Sequence, residues 1–261
     1  MTEEARSVAF DRAADHYDQT RSLSPDAMGR VVDLLRGELD GRGRCLEIGV
    51  GTGRIALPLA AAGVPMAGID LSHPMLAQLL EKSGGAEPFP IARADVTSLP
   101  FGDRTFGAAL AIHVLHLIPA WRDAVDGILR VVRRPGILLV DLGRARGIMR
   151  AVEDRFAAEA GIGRRFAGIT DEQVPDLDDH LLGRGARFRE LPEIDDRLKL
   201  SIDGLLQLLE GGVFSWTWPL DEQTRRSVGA RVREWASDLH GDLEEPRAMD
   251  RAVALRAYDL A

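Results

Sequence analysis

The stretch from Arg44 to Asp70 constrains this chain more than any other, because it reads as strand, glycine loop, helix and second strand in close succession. Cys45, Leu46 and Ile48 form a short apolar run that suits a buried parallel strand. Gly49, Gly51 and Gly53 then alternate, which lets the backbone take positive φ and come close to a ligand. Ile55, Leu57 and Leu59 open a helix whose first N–H groups face that ligand, with Pro58 tolerated near its start. A dinucleotide fingerprint has the spacing G-x-G-x-x-G and sets a pyrophosphate on the helix start. Here the spacing is E-x-G-x-G-x-G, and Glu47 at the strand tip repels a pyrophosphate while suiting a ligand that carries an ammonium group. Asp70 closes the next strand, where a carboxylate can accept hydrogen bonds from both ribose hydroxyls. A nucleoside joined to an amino acid meets both demands.

Glu47-Ile48-Gly49-Val50-Gly51-Thr52-Gly53, with Asp70 at the end of the next strand and Asp95-Val96 further on, resembles the class I S-adenosylmethionine-dependent methyltransferases. Within them it is similar to the small-molecule branch that includes the quinone-biosynthesis C-methyltransferases, over about Phe10 to Gly143. The resemblance implies an α/β fold, a Rossmann-like, doubly wound, mostly parallel seven-stranded sheet with a helical cap. It implies S-adenosylmethionine as cofactor, S-adenosylhomocysteine as its product, and methyl transfer to an O, N or C atom of a small-molecule acceptor. The cofactor contacts that it implies are Tyr17, Arg21, Glu47, Gly49, Gly51, Gly53, Asp70, Leu71, Met75, Asp95, Val96 and His113. Tyr17 belongs near the methionine end, Arg21 near the carboxylate, Asp95 at the adenine amino group and Val96 against the ring. Two other classes share such a sheet: a non-catalytic nucleoside-binding protein, because fold does not fix function, and a NAD-dependent oxidoreductase, which Glu47 and the glycine spacing disfavour.

Along the chain, Phe10, Ala14 and Tyr17 fall at helical spacing, and Met28, Val31, Val32, Leu35 and Leu39 mark a second helix that Gly41 and Gly43 stop. Residues 1–43 are therefore expected as an N-terminal helical lid. Residues 44–143 are the expected cofactor-binding core, in which strands and helices alternate. Ser72 caps a helix with Pro74 in its first turn, Phe89 to Ala94 forms the third strand, and a fourth runs through Ala109, Leu110 and Ile112 toward His113. Ligands bind at such strand C-termini, so His113 is the candidate general base and His116 a substrate contact, although each imidazole also suits a hydrogen-bonded structural role. The helix from Trp121 is expected to end at Pro135-Gly136, before a fifth strand over Ile137 to Asp141.

Residues 144–261 lose the alternation and are expected to carry helical insertions around strand six that cap the site. A strand is expected near Arg187 to Glu193 or Arg197 to Leu200, and the last over Val253 to Tyr258. Phe214, Trp216 and Trp218 alternate and are candidate substrate contacts, a pattern that equally suits packing of the cap.

A chain of 261 residues with 45% hydrophobic content holds one α/β domain with insertions. Net charge of −8 disfavours a nucleic-acid partner, and no stretch is apolar enough for a membrane partner. The one cysteine, Cys45, lies in the apolar first strand, and the polar, acidic start lacks a signal peptide, so a cytoplasmic protein is expected. Neither metal-ligand spacing nor a G-x-S-x-G elbow is present, and no metal is expected. The sequence leaves the acceptor's identity and the oligomeric state open.

Overall fold

A computed structural model of the chain describes residue 11, residue 18 and residues 22–163 and 166–261. Helix α1 (Pro25–Leu39) starts where the Ser24 hydroxyl accepts the Ala27 N–H at 3.2 Å and Pro25 presets the first turn. Its helically spaced Ala27, Val31, Leu35 and Leu39 are buried in one cluster with side chains of the central strands. This helix is therefore a layer of the core. Strand β1 (Cys45–Ile48) follows, then α2 (Ala56–Ala61), β2 (Met66–Asp70) and α3 (His73–Lys82), capped by Ser72 as expected. Strand β3 is short (Ile91–Arg93), and β4 (Phe106–Ile112) is buried at every residue.

Helix α4 (Trp121–Val131) runs directly into β5 (Val132–Asp141). Pro135 and Gly136 thus lie within the strand instead of ending the helix. The chain can place a proline there because residues 133–135 are exposed and the ladder to β4 shifts register between Phe106 and Ala108.

After β5 come β6 (Arg144–Ala145), α5 (Gly147–Glu159), α6 (Val174–Leu182), β7 (Ala186–Glu190), β8 (Ile194–Leu200), α7 (Ile202–Glu210), α8 (Glu222–His240), β9 (Arg247–Val253) and β10 (Arg256–Leu260). The main sheet has seven strands in the order β3-β2-β1-β4-β5-β10-β7, with β1 to β5 parallel and β10 antiparallel to both of its neighbours. Parallel β1, β2 and β4 reach the same edge with Ile48, Asp70 and Ile112, the edge at which the polar loops gather.

The insertion is not purely helical, since β6, β9 and β8 form a separate three-stranded antiparallel sheet. Both candidate strands near Arg187 and Arg197 exist, one in each sheet. The last strand begins later than expected because Val253 completes β9 and the chain turns at Ala254-Leu255 before β10. Charged residues on the exposed sides of β8 and β9 hid this sheet, whose inner sides join α5, α7 and α8 in a core of their own around Phe156, Leu206, Val232 and Met249. Among the described residues no helix is long and apolar enough to cross a membrane.

Two glycines give opposite expectations. A Cβ on Gly107 in β4 would stand 1.4 Å from the Arg42 carbonyl oxygen, whereas one on Gly37, on the exposed side of α1, meets nothing within 4 Å. Denaturant unfolding should show Gly107→Ala losing about 3 kcal/mol or more and Gly37→Ala gaining about 0.5–1 kcal/mol.

Candidate active site

The glycine loop after β1 has φ of +67° at Gly49, +55° at Gly51 and +78° at Gly53, a run that L side chains resist. A Cβ on Gly49 would also press to 2.6 Å from Val114 Cγ2, so this position is closed by packing as well. The loop is held by Asp70: Oδ2 accepts the Gly51 N–H and Oδ1 the Ser72 N–H, both at 2.8 Å. Each oxygen keeps a second lone pair for a further donor. Burial raises the Asp70 pKa, opposed by the N–H groups of Ser72, Gly51 and Leu71.

Glu47 is only 3% exposed, and its Oε2 has no hydrogen-bond partner among the described residues. Burial pushes its pKa up to about 8; Arg54 opposes the shift, Asp70 adds to it, and the Ala56 N–H opposes it. A buried carboxyl with an orphaned oxygen calls for a cation or donor.

Met75 is buried at the start of α3, with Cε 3.5 Å from the place of a Cβ on Gly51, and Leu71 is half-buried in the turn before it. Asp95 Oδ1 accepts the Thr97 N–H at 2.9 Å and the Thr97 hydroxyl at 2.8 Å, capping the turn that buries Val96. The N-terminal segment reaches the loop through Asp18, whose Oδ1 accepts the Thr52 hydroxyl at 2.7 Å and whose carboxylate pairs with Lys82. Tyr17 and Arg21 lie outside the described residues.

Beyond the end of β4 lies a cavity of about 90 Å³, bounded by α5, β9 and the segment from Phe166 to Ile169. The latter docks through Gly168 N–H on His116 O at 2.8 Å. His113, His116, Phe214 and Trp216 line the cavity. Trp218 is not brought there: Phe214 to Trp218 is a 3-10 turn and not a strand, and the Trp218 indole N–H donates to Gly212 O at 2.7 Å. His116 packs edge-on to Phe166 at 5.0 Å between ring centroids.

His113 stands at φ +55°, an uncommon conformation outside glycine. Its Nε2 lies 3.1 Å from Asp141 Oδ2 in a bent approach, and its N–H donates to Asp141 O at 2.8 Å. Asp141 is 2% exposed, and its Oδ1 accepts the N–H groups of Gly143 at 3.1 Å and Ala254 at 3.3 Å. Burial raises the Asp141 pKa, but His113 and these two N–H groups outweigh it and leave the carboxyl below its usual value. Sequence reasoning placed Asp141 only as the end of a strand. An acid at the C-terminal end of a strand next to one ending in His113 was the available signal. Glu153 and Arg251, which also line the cavity, had no such signal because they arrive from α5 and β9.

The sheet is Rossmann-like, with an acid-glycine loop and Asp70 at its C-terminal edge. Residues 46–140 match the family described as "Methyltransferase domain". Over 120 residues the chain is 38% identical to phosphatidylethanolamine N-methyltransferase of Cereibacter sphaeroides, covering 44% of this chain and 59% of that protein. It is 29% identical over 137 residues to demethylmenaquinone methyltransferase of Clavibacter sepedonicus, covering 51% and 56% respectively. The match thus spans little more than half the length of these curated relatives. The YcgJ protein of Bacillus subtilis shares the fold, with a TM-score of 0.60 at 16% identity over 91% of this chain and all of that one.

S-adenosylmethionine is the group this domain implies, and the site fits it. The orphaned Glu47 Oε2 answers an ammonium, and the second lone pairs of Asp70 answer a pair of hydroxyls. Among the described residues no group of His, Cys, Asp and Glu could hold a metal ion.

The raised Glu47 pKa sets a pH dependence for the ligand-free protein. Its protonated form contributes stability that is full below the ordinary value of 4.5 and is lost as pH rises to about 8. Gln cannot titrate, so urea unfolding should show the wild type losing about 1.4 kcal/mol per pH unit relative to Glu47→Gln across that window.

Proposed function

We propose that the protein transfers the methyl group of S-adenosylmethionine to an O, N or C atom of a small-molecule acceptor. One observation carries the reading: the Glu47–Asp70 loop and the cavity behind His113 open at the same edge of the parallel sheet, so donor and acceptor meet there. When bound, the cofactor supplies an activated sulfonium methyl that needs no further chemical activation. The chain's part is alignment and exclusion of water, which by proximity alone is worth several orders of magnitude. Asp70 orients the nucleoside through its hydroxyls, Glu47 holds the amino group, and Asp95 and Val96 border the base. His113 takes a proton from the acceptor where one must leave.

Calorimetry should show saturable binding of S-adenosylhomocysteine and none of NAD; the reverse pattern overturns the reading. Asp70→Ala should weaken S-adenosylhomocysteine by about 1–3 kcal/mol, as a charged partner of two hydroxyls is lost. Once an acceptor with an O–H or N–H group is in hand, His113→Gln should lower turnover by roughly 10²-fold with cofactor affinity nearly unchanged. Equal losses in both would place His113 in the cofactor pocket instead.

A further inference from the structure

The cavity behind His113 carries more information than the presence of an acceptor. Its far wall is built by Met149 from α5, Phe166, and Phe214 and Trp216 from the turn after α7. Phe214 and Trp216 have ring centroids 6.3 Å apart, and Phe156 stands edge-on behind Trp216 at 6.0 Å, so this wall is held in place from behind. Rigid aromatic edges and a thioether suit a flat apolar body. Charges in the lining are matched: Arg54 and Arg251 face it together with Glu153, and Arg251 donates to buried Asp196 at 2.7 Å. Counting Asp196 behind Arg251, the charged side chains at the cavity balance two to two among the described residues, so the lining does not select a charged acceptor.

The opposite wall holds the one arrangement suited to moving a proton. His113 is kept in a left-handed conformation by its backbone bond to Asp141 O, and Asp141, itself fastened by Gly143 and Ala254, places Oδ2 3.1 Å from Nε2. A strained residue fastened this firmly is a mark of function. A carboxylate 3.1 Å from Nε2 favours the proton on that nitrogen, which makes Nδ1 the basic one, and it stabilises the imidazolium that forms.

We infer that the acceptor is an uncharged aromatic hydroxyl compound, its ring against Met149, Phe214 and Trp216, and that Asp141 is the positioning residue for His113 as base. This rests on the methyltransferase reading above. The acceptor O–H bond breaks and its proton passes to His113 Nδ1 as its oxygen forms the new O–CH₃ bond. The S–CH₃ bond breaks, its electron pair stays on sulfur, and S-adenosylhomocysteine leaves with the methyl ether.

The test uses the full chain with S-adenosylmethionine and three two-ring probes: 2-naphthol, the anion 2-naphthoate and the cation 1-naphthylmethylammonium. Mass spectrometry should find 2-methoxynaphthalene and no methylated product from the charged probes. Methylation of a charged probe alone, or of none while S-adenosylhomocysteine binds, overturns the inference; failure of S-adenosylhomocysteine to bind overturns the methyltransferase reading instead. Asp141→Asn should lower kcat on 2-naphthol about 10²-fold but only a few-fold on 6-cyano-2-naphthol, whose more acidic hydroxyl needs less help from a base. It should cost nothing further on a His113→Gln background. An equal loss on both naphthols, or additive losses in the double variant, means a structural role and overturns the assignment. Should Asp141→Asn fail to fold, judged by S-adenosylhomocysteine affinity, the same comparison of the two naphthols with His113→Gln decides the base.

Discussion

The Asp141 carboxylate is where the two halves of this molecule are fastened together. The chain leaves the main sheet after β5, rejoins it at β7, leaves again for β8 and returns between β9 and β10. Asp141 Oδ1 accepts one N–H from the first and one from the last of these crossings, at Gly143 and Ala254, while Oδ2 faces His113. A buried carboxylate is tolerable only when it is held this way, and each donor lost would leave a charge in a dry place. The same interactions that join insertion to core therefore also set the imidazole at the end of β4. Packing and chemistry share one residue, which is why the His113 backbone can sit in a conformation that most side chains avoid.

A second constraint acts on the cofactor side. Parallel strands have their C-termini at one edge, and the N–H groups of the loops there must be satisfied. Asp70 does this for Gly51 and Ser72, so the acid expected to read a ribose also shapes the loop that receives it. Glu47 is the counterpart that the protein leaves unsatisfied. An orphaned buried oxygen weakens the empty fold and strengthens binding of a ligand that brings a cation, so stability and affinity are set against each other at this position.

The two sides of the site were unequally legible. Glu47, the three loop glycines, Asp70 and Asp95 lie within fifty residues of one another, on consecutive strand ends, and each is needed for a reason that holds locally: positive φ, a strand terminus, a cap. Phe214 and Trp216 were recognisable as candidates only by alternation, and that argument was wrong in its geometry, since the segment is a 3-10 turn and Trp218 points its N–H at Gly212. The small sheet was missed because its strands are charged on their exposed sides and far apart in sequence, so that only their pairing reveals them.

The sequence by itself determined the doubly wound sheet, the strand-to-helix glycine turn and the placing of Glu47 and Asp70 beside that turn. Those follow from periodicity and backbone sterics, which act over a few residues. Tertiary structure alone decided that α1 is core, that Asp141 meets His113, and that Met149, Glu153, Phe166 and Arg251 enclose the cavity beyond β4 with Phe214 and Trp216. These contacts join residues tens to more than a hundred positions apart, and burial of the insertion's own apolar core is what brings them together.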